Sequence, residues 1–280
     1  MTTMDMATLT PELPTTLGGR LRGMLVDAGT VAWRDLIHWR RDPARIWGSL
    51  LYTVISVLLF GYVFGSAMSV PGGGDYREFL MPGMFAMTMM FGIGETATGV
   101  ATDAAKGVTD RFRSMPMSQV GVVAGRSLAD MVNAALGIVL LVACGLAVGW
   151  RWHGGLGQAL AAVGLLLLLR FAFIWVGIWL GLVLPSPEAV AAMYGLLFPV
   201  TMIANTFVAP ELMPGWLGVI AEWNPLSATV TATRELFGNP GPGGASWTAQ
   251  HALGMAVAWP AALVAVFLPL SVRQYRRLSR

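Results

Sequence analysis

The chain has 280 residues, of which 55% are hydrophobic and only 12% are charged, whereas a soluble globular chain carries about twice that charged fraction. So few charges cannot cover the surface of one soluble domain, and the composition instead favours a helical protein embedded in lipid. The net charge of +3 is small, so the distribution of the charges is more informative than their sum, and the single cysteine, Cys144, excludes an intrachain disulfide.

The N-terminal part of the chain precedes any long apolar stretch. Residues 1–19 have no apolar core of signal-peptide length and are predicted to form a disordered cytoplasmic tail. Residues 20–41 carry apolar side chains at helical spacing, which predicts an amphipathic helix lying in the cytoplasmic headgroup plane. An irregular juxtamembrane segment is the alternative, and in either case Pro43 separates these residues from the first long apolar stretch.

Six stretches are apolar and long enough to cross a bilayer, which takes about 20 residues. They lie at about 46–66, 79–102, 127–150, 159–184, 189–209 and 247–272. The predicted fold class is therefore an all-α membrane protein with six transmembrane helices, and an even number of spans places both termini on the same side.

The orientation follows from the basic residues. Of the 18 Lys and Arg residues, fourteen lie in the N-terminal segment, between the second and third spans, or at the C-terminus. Three lie on the opposite side, and Arg170 is inside the fourth span. Because basic residues are enriched in cytoplasmic loops, both termini are predicted to be cytoplasmic.

The connection between the fifth and sixth spans, residues 210–238, is too short to cross the membrane and too apolar for an ordinary external loop. It predicts one or two short helices that re-enter the outer leaflet, broken at Pro214 and at Asn224–Pro225. Trp216 and Trp223 suit the headgroup region of the bilayer.

The chain offers little for catalysis. It has no G-x-x-x-x-G-K-[ST] phosphate loop, its only lysine is Lys106, and its three histidines and one cysteine are scattered. No nucleophile–base arrangement and no metal site is predicted, and neither is a nucleic-acid partner. Energy for any transport must come from a partner subunit or an ion gradient.

The cytoplasmic stretch 103–130 carries charges and apolar knobs on a short predicted helix that ends at a proline. Such a helix suits docking into a groove on a soluble partner, although a solvated loop explains its composition equally well. The residues that would dock are Asp110, Arg111, Phe112, Arg113, Met115 and Pro116.

This stretch resembles the coupling-helix region of the ABC type-2 exporter permeases, especially the daunorubicin/doxorubicin-resistance branch. That branch shows D-x-x-K-G-x-x-D-R-F-R-S-[LM]-P-M-S followed by G-R-x-x-A-D. The matching positions are Asp103, Lys106, Gly107, Asp110 to Ser114, Pro116 to Ser118, Gly125, Arg126, Ala129 and Asp130. Further likeness lies at Phe60–Gly65 and Phe79–Gly83, and it covers the chain from about Arg34 onward. In the outer hairpin it rests on Pro210, Glu211, Pro214, Trp216, Asn224, Pro225 and Arg234.

The resemblance implies one permease domain over residues 20–280, with a cytoplasmic coupling helix and a re-entrant outer hairpin. It implies a separate ABC ATP-binding subunit that binds ATP and magnesium, with no cofactor in this chain, which is no enzyme by itself. It also implies a second permease copy, identical or related, in the bacterial cytoplasmic membrane. The expected substrate is hydrophobic and drug-like or lipid-like, moved out of the cytoplasm or inner leaflet.

Two charges fall inside predicted spans, Glu95 in the second and Arg170 in the fourth. A charged side chain inside the bilayer costs free energy, so each of these residues is by default a candidate functional residue. Mutual pairing or another interhelical role, direct substrate contact, and exposure to water are all open. Three glycines near Glu95 permit close helix contact, namely Gly92, Gly94 and Gly99.

Two other classes of function are open. A secondary transporter driven by an ion gradient would have several intramembrane acids and inverted repeats; this chain has one such acid and no evident repeat. A non-transporting membrane scaffold that confers resistance could use the same docking helix without a translocation path.

Overall fold

A computed structural model describes residues 75–107, 119–241 and 246–277, together with isolated positions at 29–30, 51, 54–55, 57–60 and 62. All regular structure in these residues is helical, which confirms the all-α class. Apart from those isolated positions, the predicted amphipathic helix at 20–41 and the first span at 46–66 lie outside the described residues. The docking residues at 110–116 lie outside them as well.

The described chain forms eight α-helices and one short 3-10 segment. In order they are α1 Tyr76–Ala105, α2 Gln119–Val148, α3 Leu156–Val183, α4 Pro187–Ile203, the 3-10 segment Pro210–Leu212, α5 Gly215–Glu222, α6 Pro225–Phe237, α7 Trp247–Gln250 and α8 Ala252–Arg277. Three of these helices have an N-cap side chain that accepts a hydrogen bond from a backbone N–H of the first turn. Asp75 caps α1, Ser186 caps α4 and Asn224 caps α6.

Helix α1 is central. It packs most extensively along α3 and also contacts α2, α4 and α6, while α8 lies against α3 and α6. Large buried side chains fill the space around it, including Phe79, Phe85 and Leu166. The rings of Trp150 and Phe237 pack edge to face, 5.0 Å apart between centroids, and belong to the same core just after the end of α2.

The contact between α1 and α3 depends on two glycines of α3 that are one turn apart. A Cβ on Gly177 would lie 2.7 Å from the carbonyl oxygen of Ile93, and one on Gly181 would lie 2.5 Å from that of Ala97. Since small residues at i and i+4 let two helix backbones approach, these glycines fix the distance between the second and fourth predicted spans.

Among the described residues, three helices are long and apolar enough to cross a membrane: Val123–Val148 within α2, α3 and α8. Helix α4 is apolar but has 17 residues, a length of roughly 26 Å. Helix α1 is not among the three, and most of its side chains are buried against neighbouring helices.

Three helices differ in extent from the predicted spans. Helix α2 begins at Gln119 rather than at 127, because Arg126 and Asp130 are partnered on the helix and do not mark a loop. Helix α4 ends at Ile203 rather than at 209, since groups on α6 bind the backbone of the residues that come after it. The last segment has a break at His251, after which α8 runs to Arg277 rather than 272.

Candidate functional site

A cavity of about 240 Å³ lies between α1, α2, α3 and α4. Most of its wall is apolar and flexible, with Met84, Met87 and Met89 of α1 and Leu140 of α2. Methionine side chains adapt to irregular shapes and suit surfaces that accept more than one apolar ligand. The charged and amide-bearing members of the wall are Glu95, Asn133 and Arg170.

Arg170 is the buried charge of this cavity, with 3% of its surface exposed. Its Nη2 donates a hydrogen bond of 3.2 Å to Oγ1 of Thr96, and Thr96 donates in turn to Oδ2 of Asp130 at 2.6 Å. The Nη1 atom has no hydrogen-bond partner in the described part of the chain. A chain of hydrogen bonds therefore connects α3, α1 and α2, and one donor of the guanidinium is left for another acceptor.

Glu95 and Arg170 line the same cavity, where Arg170 donates a hydrogen bond to Thr96 and the Glu95 side chain is exposed. Arg170 thus connects α3 to α1 through the residue that follows Glu95, and the pairing of Glu95 with Arg170 stays a prediction. Sequence reasoning missed Thr96 and did not assign a role to Asp130, although Asp130 belongs to the G-R-x-x-A-D motif.

The glycines of α1, which were expected to permit close helix contact, leave space for long side chains of the neighbouring helices. A Cβ on Gly92 would collide with the guanidinium of Arg170, and one on Gly94 would collide with the ring of Tyr194. Tyr194 also packs at 5.7 Å from the Phe91 ring and lines the cavity. Substitution of either glycine would therefore reshape the cavity wall.

An ion pair joins the two helices, α1 and α2, that flank the predicted docking segment. Nη1 of Arg126 on α2 lies 2.6 Å from Oδ2 of Asp103 on α1, and both side chains are partly buried. Gly99 leaves the space that the Arg126 guanidinium fills. The pair therefore joins α1 and α2 close to the ends that flank residues 108–118.

In the segment 210–238, which is predicted to form an outer hairpin, Arg234 is buried with 1% of its surface exposed. Its Nε donates to the carbonyl oxygen of Phe79 at 2.8 Å, and its Nη2 donates to those of Asn205 at 2.9 Å and Thr206 at 3.2 Å. The guanidinium also lies 3.7 Å from the centroid of the Phe79 ring. Arg234 thereby ties α6 to the start of α1 and to the residues after α4.

The other predicted hairpin residues fall at the breaks between helices. Pro210 and Glu211 are in the 3-10 segment, Pro214 precedes α5, and Asn224–Pro225 begins α6. Trp216 and Trp223 are 70% and 51% exposed, and Trp223 stacks on Trp247 at 6.4 Å between centroids. Large exposed indole rings at one end of a helical bundle suit a bilayer interface.

The chain is similar to known membrane permeases. The family model described as "ABC-2 type transporter" matches residues 27–237. The chain is 34% identical to the daunorubicin resistance ABC transporter permease protein DrrB1 of Streptomyces coeruleorubidus, over 95% of this chain and 96% of that protein. It is 28% identical to the doxorubicin resistance ABC transporter permease protein DrrB of Mycobacterium tuberculosis, over 45% and 46% of the two chains. It is also 24% identical to the putative transport permease ycf38 of Cyanophora paradoxa, over 73% and 71%.

Proposed function

Because this chain belongs to the ABC-2 type transporter family, we propose that it exports a hydrophobic, drug-like or lipid-like compound through the cavity between α1, α2, α3 and α4. The chain is a membrane-embedded permease subunit of an ABC drug exporter. The substrate class is suggested by the names of its relatives, which refer to resistance to daunorubicin and doxorubicin.

A cavity that is mostly apolar yet contains a buried charge is the observation that carries the proposal. The methionines and aromatic rings offer an adaptable surface for the apolar body of a substrate. Arg170 offers a donor for an oxygen atom, and a cluster of polar groups in an otherwise apolar cavity can fix the orientation of the ligand. Glu95, on the same wall, would then limit which charged groups a substrate can bring.

The energy would come from a separate ABC ATP-binding subunit, which binds ATP and magnesium. We place its docking site at the coupling helix, on Asp110, Arg111, Phe112, Arg113, Met115 and Pro116. The pair between Asp103 and Arg126 supports this placement, because it links both flanks of the segment to the cavity-lining helices. Closure of the ATP-binding subunits would change the relative stability of two permease conformations that differ in their affinity for the substrate.

The proposed arrangement in the membrane has six spans, both termini in the cytoplasm, and a hairpin at 210–238 that re-enters the outer leaflet. Two permease copies, identical or related, would pair in the bacterial cytoplasmic membrane. The basic bias of the sequence and the exposed tryptophans of the hairpin support this orientation.

The experiment is co-purification with a candidate ABC ATP-binding subunit from the same operon. Arg113→Glu and Asp110→Lys should each lower the yield of ATP-binding subunit per permease, because reversing a charge at a docking site repels the partner. Arg273→Glu, an exposed charge near the end of α8, is the matched control and should leave the yield unchanged. Equal yields in all four proteins would remove residues 110–116 from the docking site.

A further inference from the structure

A second, smaller cavity of about 20 Å³ lies at the outer hairpin. Its wall comes from the residues after α4, the 3-10 segment, α5, α6 and the start of α7. The polar side chains of this wall are two glutamates, one asparagine and four hydroxyl residues, so each of them contains an oxygen atom. None of the described residues that form the wall is cationic.

Asn205 lines this cavity and has a buried side-chain oxygen that accepts no hydrogen bond from the described residues. It is 3% exposed, its backbone N–H donates to Oγ of Ser227 at 3.1 Å, and its Nδ2 donates to Oγ1 of Thr231 at 2.7 Å. Its Oδ1 has no hydrogen-bond partner among the described residues. A buried acceptor without a partner is unfavourable, so a cation that contacts this oxygen would be favoured.

Glu211 and Glu222 bring two negative charges to the same wall. Within the described chain, neither carboxylate has an ion-pair partner. The nearby guanidinium of Arg234 donates to backbone carbonyls and does not belong to the wall. Glu211 is exposed and Glu222 is partly buried, so both carboxylates are accessible to a cation from solution.

We propose that this cavity binds a calcium ion. Calcium takes six to eight oxygen ligands in flexible geometry, whereas magnesium demands a regular octahedron and zinc prefers nitrogen and sulfur. Two carboxylates balance a divalent charge, and a cavity of about 20 Å³ has room for a single ion or a water molecule.

Binding is expected to be weak. No three His, Cys, Asp or Glu side chains of the described residues lie close enough together to hold a metal ion, so the two glutamates would be the only charged ligands that these residues offer. A dissociation constant on the order of 10⁻⁴–10⁻³ M, as in extracellular calcium modules, is expected. The ion would join the 3-10 segment and α5 to α6 and α7, and so stiffen the hairpin that Arg234 also ties down.

The test uses the full-length chain in lipid nanodiscs. Equilibrium dialysis against ⁴⁵Ca²⁺ measures stoichiometry and affinity, and thermal unfolding with calcium or with a chelator measures the linked gain in stability. One calcium per chain and a Tm that rises with calcium are expected. Glu211→Gln and Glu222→Gln should each weaken binding at least 10-fold, since the loss of even an outer-shell partner weakens metal sites by about 10–100-fold.

Glu235→Gln is the matched control, because it makes the same change on α6 outside the cavity wall. It should keep the wild-type affinity. Absence of saturable binding to the wild-type chain would overturn the proposal and leave a water-filled polar cavity. An equal rise in Tm with magnesium, or an equal response in the Glu211 and Glu222 variants, would also overturn it, because either result indicates screening of surface charge. The dialysis on the wild-type chain decides the question even if a variant does not fold.

Discussion

Arg234→Met should be one of the most destabilising single changes in the segment 210–238. The substitution keeps an apolar stem of similar length but removes every donor of the guanidinium. Three backbone carbonyls, those of Phe79, Asn205 and Thr206, would lose the bonds of 2.8, 2.9 and 3.2 Å that they accept from Arg234. The contact of the guanidinium with the Phe79 ring would be lost as well.

The expected size of the effect is set by these contacts. A buried acceptor without a partner costs about 1–3 kcal/mol, and three of them set an upper range of roughly 3–9 kcal/mol. Part of this is offset, because the variant no longer buries a charge. We expect a net loss of about 3–5 kcal/mol, near the lower end of that range and large for a single substitution, because a buried hydrogen-bond network is broken. The loss of stability for Arg234→Lys should lie between zero and that of Arg234→Met, since one ammonium group cannot reproduce the planar fork of donors.

The assay is thermal unfolding of the detergent-solubilised protein, with Arg151→Met as the control. Arg151 is exposed, and its Nη1 donates to the carbonyl oxygens of Leu146 at 2.6 Å and Trp150 at 2.8 Å. Water can replace those bonds, so this variant should unfold within about 0.5 kcal/mol of the wild type. If the Tm of Arg234→Met equals that of Arg151→Met, the buried carbonyl contacts do not stabilise the hairpin as described.

Two further predictions concern the helix contacts around the cavity. Gly177→Ala should destabilise the protein by about 1–3 kcal/mol in the thermal unfolding assay, because the added methyl group meets the α1 backbone. Gly164→Ala is the control, since a methyl group there enters open space and should be neutral or slightly stabilising. Equal effects of the two substitutions would refute the close approach of α1 and α3. In a double-mutant cycle, Asp103→Asn and Arg126→Gln should show a coupling energy of roughly 1 kcal/mol, since the ion pair is short but partly exposed. Strictly additive losses of stability would show that the pair does not hold α1 to α2.

The sequence predicted the helical class and most helices because long uncharged stretches have few other solutions in lipid. The extents of individual helices depend on tertiary contacts, which a local sequence pattern does not show. Arg126 and Asp130 indicated a loop by their charge, yet partners on α1 let them remain on α2. The end of α4 depends on Ser227 and Arg234, which are more than 20 residues away, so no local pattern could place it.

The candidate site was predictable in part. Glu95 and Arg170 stood out as intramembrane charges, and both line the cavity. Thr96 gave no signal, because a threonine in an apolar helix is common and its role depends on which side chain α3 places beside it. Gly92 and Gly94 were recognised as small residues, but which side chain would occupy the space beside each could only come from the packing of the helices.

Transport itself tests the central claim most directly. Inside-out membrane vesicles that contain this chain and its ATP-binding subunit should accumulate an amphiphilic fluorescent dye when ATP is added, and a non-hydrolysable ATP analogue should not support uptake. Arg170→Met should lower the rate of uptake, while Arg151→Met, which is outside the cavity, should not. Uptake that proceeds without ATP and stops when an uncoupler dissipates the proton gradient would contradict the account, because it would identify a secondary transporter.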